Sequence, residues 1–240
     1  MSFALELGKV KRTGFMAAFL SGGILAAAVP VLNMAFRSEI YVSMNASPVS
    51  ILLSANWQMM AMINILLIIA GACIMYHTEY ADNAIQRMCT LPIGESTMFF
   101  GKTAVLVIVS IMPLIIEAAS VFFCDLHWFG QTTDLCMEIF QNFGFFLLMM
   151  LPAILLALLI ASVCKNMWIS LGIGVVCLFL ATMIPTKNFV LTLFPFALPF
   201  QMLSNNTADV VRNYAIAGAV ETVVIALLEI IILKVRRSFE

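Results

Sequence analysis

Charged residues are scarce in this sequence. Only 10% of the 240 residues are charged, while 63% are hydrophobic. Soluble domains contain about 25% charged and roughly 45–50% apolar residues, and disordered chains have low hydrophobicity. The composition therefore excludes a soluble globular enzyme and a disordered tail, and it predicts an integral membrane protein.

An excess of positive charge is also missing. Lys and Arg total 12, Asp and Glu total 13, and the formal net charge is −1. Nucleic-acid-binding domains need a basic patch or stripe. The balance of charges therefore predicts no nucleic-acid partner.

The sequence also lacks the motifs of catalysis and metal binding. The 6 cysteines and 2 histidines form no CxxC pair and no cluster with zinc spacing. Gly94 and Gly101 are too far apart for a phosphate-binding loop, although Lys102 follows them. We therefore expect no catalytic site, metal or cofactor on this chain. A disulfide between Cys124 and Cys136 remains an open possibility.

Long apolar runs are what the sequence does contain. A membrane-spanning helix needs about 20 apolar residues. Six runs meet this requirement approximately, and they predict one all-α transmembrane domain over residues 1–240 with the spans Phe15–Phe36, Met59–Tyr76, Thr103–Phe123, Ile139–Cys164, Trp168–Ile184 and Ala215–Leu233. A further apolar run, Phe189–Leu203, contains Pro195 and Pro199 and predicts an interfacial or re-entrant segment.

The distribution of Lys and Arg predicts the orientation of these spans. With the N-terminus inside, nine basic residues fall on the cytoplasmic side and three on the outer side. Cytoplasmic loops carry the excess of Lys and Arg in membrane proteins. Both termini are therefore expected in the cytoplasm.

The segment before the first span has an amphipathic pattern. Its apolar stripe consists of Phe3, Leu7, Val10 and Gly14, and the opposite stripe of Glu6, Lys9, Arg12 and Thr13. The pattern predicts a helix in the membrane interface, with basic groups near anionic lipid. The residues assigned to this helix are Phe3, Leu7, Lys9, Lys11 and Arg12. The alternative is a simple basic flank of the first span.

The cytoplasmic loop between the second and third spans contains a second amphipathic pattern. Ala81, Ala84, Ile85 and Met88 follow helical spacing, and Pro92 ends the helix. Such a strip is buried either on the membrane surface or in a groove of a partner protein. The alternative is a solvated loop helix.

Acidic residues within the spans are costly and therefore informative. Glu117 and Glu221 each lie about 9 Å below the outer end of their span, at ~1.5 Å per residue. Their common depth suggests a shared polar cavity, whereas the alternative is two locally hydrogen-bonded, inert acids. Glu229 is close to Lys234 and is interpreted as structural.

The chain resembles the permease subunits of type 2 ABC exporters. Residues Glu6 to Arg12 before the first span, and Glu79, Leu91-Pro92-Ile93 and Gly101-Lys102 around the loop, carry the resemblance. The order of six spans and the Pro-interrupted segment before the last span extend it over the whole chain. Among these permeases the chain is most similar to those of lantibiotic-immunity transporters.

The resemblance implies how such a protein works. A separate subunit would bind ATP and Mg, and the loop would form a coupling helix, with short extracellular helices before the last span. The residues expected to contact the ATP-binding subunit are Glu79, Asp82, Ile85, Arg87, Met88 and Pro92. A second and different permease chain would complete a path through the bacterial plasma membrane. The implied cargo is a cationic, amphipathic antimicrobial peptide.

Two other functions remain open from the residues. A secondary transporter driven by an ion gradient would use Glu117 and Glu221 as carriers, although the absence of an internal repeat does not favour it. A permease of the same class with a different amphipathic cargo is the nearer alternative.

Overall fold

Helices make up most of the part of the chain that the structure describes. The computed structural model describes residues 6–9, 13–81, 95–130, 135–164, 166–184, 189–204 and 206–239. Its helices are α1 (Phe15–Val42), α2 (Pro48–Ala81), α3 (Glu95–Cys124), α4 (Leu135–Val163), α5 (Met167–Met183), α6 (Phe189–Thr192) and α7 (Ala208–Phe239). The all-α prediction is thus confirmed for these residues.

Five helices are long and apolar enough to cross a membrane, and α5 is a shorter apolar helix. Helices suit this environment because their backbone hydrogen bonds are satisfied within the segment, where lipid offers no alternative. The helices α2 and α4 are the most buried of the long ones, and α7 is the least buried. The core therefore lies around α2 and α4.

Two backbone features mark the limits of α1. Gly14 has φ 74°, a left-handed conformation that separates helical residues 6–9 from α1. Arg37 has non-helical angles, φ −137° and ψ 27°, within α1. The regular part of α1 thus ends at Phe36, the predicted end of the first span, and the chain then continues as a helix to Val42.

The Pro-interrupted segment is irregular, and its interfacial or re-entrant placement stays a prediction. Helix α6 ends at Thr192, turns follow, and a short 3₁₀ turn covers Leu198–Phe200. Trp57 Nε1 donates a hydrogen bond of 3.1 Å to the carbonyl of Pro199, which anchors the 3₁₀ turn to α2. Non-helical backbone at membrane depth is tolerated where protein satisfies its polar groups.

Side-chain hydrogen bonds within the bundle join helix α2 to four neighbouring helices. The contacts are Asn33 Nδ2 to Asn56 Oδ1 at 2.9 Å (α1), Asn64 Nδ2 to Glu117 Oε1 at 2.6 Å (α3), Tyr80 Oη to the Ser162 carbonyl at 2.5 Å (α4), and Cys73 Sγ to Ser170 Oγ at 3.3 Å (α5). Such interhelical hydrogen bonds contribute about 0.6 kcal/mol each in membranes. They fix the register of α2 against its neighbours.

Close packing of small residues supports the same arrangement. A Cβ atom added at Gly23 of α1 would lie 2.8 Å from Cα of Pro113 in α3. This distance is too short for real atoms, so only glycine permits the approach of α1 to α3. Small residues at helix interfaces are the usual means of close packing in membranes.

Candidate functional site

Four charged side chains meet at one end of the helix bundle. Glu6 and Lys9 come from the helical residues 6–9, Glu79 from the last turns of α2, and Lys102 from the second turn of α3. We call these four residues the inner charge cluster, because their end of the bundle is the one predicted to face the cytoplasm. The cluster joins three segments that are far apart in the sequence.

Each carboxylate of the cluster contacts both ammonium groups. The four N–O distances are 2.6 Å for Lys102–Glu6, 2.5 Å for Lys102–Glu79, 2.7 Å for Lys9–Glu6 and 3.1 Å for Lys9–Glu79. Lys102 Nζ also lies 5.3 Å from the ring centroid of Tyr76, within the range of a cation–π contact. Within these four residues the charges balance, two positive against two negative.

The cluster is largely removed from solvent. The Lys102 side chain is 1% exposed, those of Glu6 and Glu79 are 5% and 4% exposed, and that of Lys9 is 32% exposed. Burying an ion costs several kcal/mol unless good geometry and further hydrogen bonds compensate. The mutual contacts supply this compensation, so removing any one member leaves a buried charge without its full set of partners.

The environment keeps Glu6 and Lys9 ionised. Burial alone would raise the pKa of Glu6, but Lys102 and Lys9 stabilise its carboxylate, and the net effect lowers this pKa below 4.5. Burial alone would lower the pKa of Lys9, but the carboxylates of Glu6 and Glu79 raise it above 10.5. Both side chains therefore carry charge at neutral pH.

The cluster lies at the base of the loop between α2 and α3, which is predicted to be cytoplasmic. The chain leaves α2 just after Glu79 and re-enters α3 before Lys102. The Glu79–Lys102 ion pair therefore holds the two ends of this loop together, and Glu6 ties the N-terminal segment to them. The predicted coupling residues Asp82, Ile85, Arg87, Met88 and Pro92 lie outside the described residues.

The N-terminal segment is oriented differently from the amphipathic prediction. Glu6, placed on the polar stripe, is buried, whereas Leu7 of the apolar stripe is 37% exposed. Lys9 contacts protein carboxylates, although it was expected to lie near lipid headgroups. Phe3, Lys11 and Arg12 lie outside the described residues, and the interfacial placement of the helix stays a prediction.

Sequence reasoning did not identify Glu6 and Lys102 as partners of Glu79. The i,i+3 spacing of Glu6 and Lys9 was the one local signal. Lys102 was visible as a basic residue at the start of an apolar run. Nothing in the sequence alone indicated that it would be buried between two carboxylates.

The acids predicted for the transport path lie in different surroundings. Glu117 is fully buried, and its Oε1 accepts the hydrogen bond of Asn64, while its Oε2 has no hydrogen-bond partner among the described residues. Glu221 is half-buried on α7, and its Oε2 likewise has no such partner in the described part of the chain. No hydrogen bond between described residues joins the two acids, and their shared cavity stays a prediction.

Other sequence-derived features are also located by the structure. Glu229 is fully buried on the packed face of α7. Cys124 is buried and Cys136 exposed, and both are free thiols. Within the described ranges, no group of three His, Cys, Asp or Glu side chains is placed to hold a metal ion.

One comparison with known proteins gives a match. The family model of the ABC-2 family transporter proteins matches residues 2–181, which include the inner charge cluster, α1 to α4 and almost all of α5. No curated protein and no solved structure matches the chain. The match and the five long apolar helices confirm the predicted localisation, a multi-pass membrane protein.

Proposed function

Since the chain belongs to the ABC-2 transporter family and is a transmembrane permease, we propose that its inner charge cluster transmits the movement of the ATP-binding subunit to the membrane helices. The observation that carries this proposal is the buried contact of Lys102 with both Glu6 and Glu79. Any force applied to the cytoplasmic loop reaches α2 and α3 through these residues.

The burial of these ion pairs favours the transmission of movement between the segments that the cluster joins. Ion pairs that are exposed to water are weak and exchange partners easily, whereas a buried pair loses several kcal/mol when one partner is removed. The cluster therefore holds the base of the loop, the start of α3 and the N-terminal segment as one unit. A movement of this unit displaces α2, whose polar contacts reach α1, α3, α4 and α5.

The loop itself is proposed to contact the ATP-binding subunit. Ile85 and Met88 form the apolar strip, with Asp82 and Arg87 on the adjoining faces. Burying such a side chain contributes ~1.5–3 kcal/mol, enough to change docking about tenfold. ATP and magnesium are expected on that subunit, which would leave this chain without a catalytic role.

The cargo is proposed to be a cationic amphipathic peptide, as in lantibiotic immunity. Residues 103–164 contain four acids and no Lys or Arg, so the outer part of α3 and α4 favours positive charge. Glu117 and Glu221 are proposed to contribute to this preference, with Glu221 the more accessible of the two. A second, different permease chain is proposed to complete the transport path.

Affinity purification of the chain in mild detergent tests the proposal. We expect an ATP-binding subunit and a second permease chain to co-purify. Ile85→Asp with Met88→Asp should reduce the recovery of the ATP-binding subunit about tenfold or more without affecting membrane insertion. Full recovery and full ATP turnover in this double variant would contradict the docking role of the loop.

The alternative function, a secondary transporter driven by an ion gradient, has one observation in its favour. The Oε2 of Glu117 is buried within the bundle without a hydrogen-bond partner among the described residues, which leaves this oxygen available to bind a proton. This function predicts transport without ATP that follows a pH gradient and disappears in Glu117→Gln. Transport that depends on ATP and is unchanged in Glu117→Gln would exclude it.

A further inference from the structure

A small cavity lies where α2, α4 and α5 meet, near the end of the bundle that is predicted to face the cytoplasm. Three sulfur-bearing side chains line it: Cys73 lies on α2, Cys164 follows the last residue of α4, and Met167 begins α5. The other described residues that line it are Tyr76, His77, Tyr80, Ala161 and Ser170. We call this feature the inner sulfur cavity.

The two thiols of the cavity border the same small space. Cys73 is buried and Cys164 is half-buried, and neither forms a disulfide. The two side chains also interact electrostatically, which requires them to be near each other. Cys73 Sγ lies 3.3 Å from Ser170 Oγ, in a hydrogen bond that either atom could donate. When the Cys73 thiol loses its proton, the Ser170 hydroxyl is therefore in place to donate to the sulfur.

The cavity is too narrow for water and for organic ligands. The space among its side chains totals about 150 Å³, and none of it admits a water molecule. Pockets for organic ligands usually measure about 300–1,000 Å³. A metal ion binds thiolate sulfur at about 2.3 Å, closer than a water molecule approaches sulfur. An ion that is held by the sulfur atoms therefore requires less room than water.

The donor atoms of the cavity favour a soft, monovalent ion. Thiolates and thioethers bind soft ions such as Cu(I), whereas magnesium and calcium bind oxygen ligands. Among the described lining residues, none is Asp or Glu. Structural zinc sites have four ligands, but within the described ranges no three His, Cys, Asp or Glu side chains are placed to hold a metal ion. Two thiolates are sufficient for Cu(I) or Ag(I), because these ions accept two ligands in a line.

We propose that the inner sulfur cavity binds one soft monovalent ion, Cu(I) or Ag(I), between the thiolates of Cys73 and Cys164, with the thioether of Met167 as a third and weaker ligand. Both thiols lose their protons when the ion binds. The cytoplasm keeps thiols reduced and therefore able to bind it. The bound ion joins α2, the end of α4 and the start of α5. Because the ligands come from three separate segments, the site needs no metal-binding motif in the sequence.

The test is the binding of Cu(I) to a full-length chain that keeps Cys73 and Cys164 and has serine at the other four cysteine positions. The purified chain is titrated with Cu(I) in detergent without oxygen, in competition with a chromophoric Cu(I) chelator. We expect one Cu(I) per chain, with sulfur neighbours at about 2.3 Å in X-ray absorption. A chain that keeps Cys73 and Cys177 is the matched control, because Cys177 of α5 does not line the cavity. The control should bind Cu(I) about a hundredfold more weakly.

Single substitutions in the two-cysteine chain give each ligand its own expected loss. Cys73→Ser and Cys164→Ser should each weaken Cu(I) binding about a hundredfold or more. Met167→Leu keeps the size of the side chain but removes the thioether, so binding should weaken several-fold. Ser170→Ala removes the hydroxyl beside Cys73 Sγ, and the loss of such an outer partner weakens metal binding about 10–100-fold. Circular dichroism checks that each variant is folded.

Three results would overturn the proposal. Binding that persists after the loss of either thiol would show a single reactive cysteine instead of a two-thiolate site. Equal binding to the control chain would show that the cavity does not bring the two thiols together. Zinc binding as tight as that of Cu(I) would contradict the preference for a soft monovalent ion. These measurements need no ATP-binding subunit, so their outcome is independent of the proposed coupling.

Discussion

Buried carboxylates have different partners in the inner charge cluster and in the membrane part of the bundle. Glu79 accepts from two ammonium groups, whereas Glu117 accepts from the neutral amide of Asn64 and keeps one oxygen without a hydrogen-bond partner among the described residues. Ion pairs bind rigid segments together, while an acid without a cation is costly in a membrane. The comparison is consistent with the proposed transmission of movement at the inner end, and it shows that Oε1 of Glu117 contacts a neutral amide instead of a charged group.

The largest expected effect comes from removing the cation shared by both acids. Lys102→Met leaves the carboxylates of Glu6 and Glu79 buried, and among the described residues Lys9 is the cation that still contacts them. Breaking a buried ion pair in this way costs about 3–5 kcal/mol. Thermal unfolding of the purified chain in detergent should show a corresponding loss of stability and of ATP-binding subunit recovery.

An exposed ion pair provides the control for this experiment. Arg212 and Asp209 of α7 lie 3.4 Å apart, but their side chains are 70% and 85% exposed. Exposed pairs contribute about 0–1 kcal/mol. Equal losses in Arg212→Met and Lys102→Met would contradict the structural importance of burial in the cluster.

Glu79→Gln should have the next largest effect. The substitution keeps the size of the side chain but removes a charge that contacts Lys102 and Lys9. Hydrogen bonds to charged groups contribute about 1.5–3 kcal/mol, and Glu6 remains to compensate in part. The free energy of unfolding should fall by an amount in this range, with a smaller fall than in Lys102→Met.

The pH dependence of stability should show two limits set by the cluster. The pKa of Glu6 is lowered below 4.5 by Lys102 and Lys9, so its contribution is complete above pH 4.5 and is lost as the pH falls through the folded-state value. The pKa of Lys9 is raised above 10.5, so its contribution is complete below pH 10.5 and is lost as the pH rises. When the free energy of unfolding is measured against pH, Glu6→Gln should remove much of the loss of stability at acid pH. An unchanged loss would contradict the role of Glu6 in the cluster.

Glu117→Gln should have the smallest effect. The amide retains an oxygen that accepts from Asn64, and hydrogen bonds between membrane helices contribute about 0.6 kcal/mol on average. Expression and thermal stability should therefore stay close to wild type. A loss of stability as large as that of Glu79→Gln would show that the two carboxylates stabilise the protein equally. It would contradict the difference between the inner charge cluster and Glu117.

The helices were predictable to different extents, for physical reasons. The end of the regular part of α1 coincides with the predicted Phe36 because Arg37 interrupts the apolar run. By contrast, α2 begins at Pro48, well before the predicted Met59. Polar residues between them lower the hydropathy, yet Ser54 and Asn56 donate hydrogen bonds to carbonyls of their own helix and are compatible with it.

The candidate site was less predictable than the helices. Glu79 was identified from its place before the loop, but its partners lie in segments distant in sequence, so their meeting depends on how α2 and α3 pack. The packing of α3 was equally hard to predict, because two opposite sides of this helix are apolar. One side holds the buried Leu106, Val109 and Val121, and the other the exposed Ile108 and Ile115.

The proposed transmission of movement through the inner charge cluster is tested most directly by exchanging the charges of its four residues. The transporter is assembled with its ATP-binding subunit, with Cys89, Cys164 and Cys177 replaced by alanine, and the labelling rate of the exposed Cys136 is measured with and without ATP. We predict that ATP changes this rate in the parent chain. Lys102→Glu should abolish the change, and the fourfold exchange E6K/K9E/E79K/K102E, which keeps every ion pair with reversed sign, should restore it. An ATP-dependent rate that persists in Lys102→Glu, or that stays absent in a folded and assembled fourfold variant, would contradict the account.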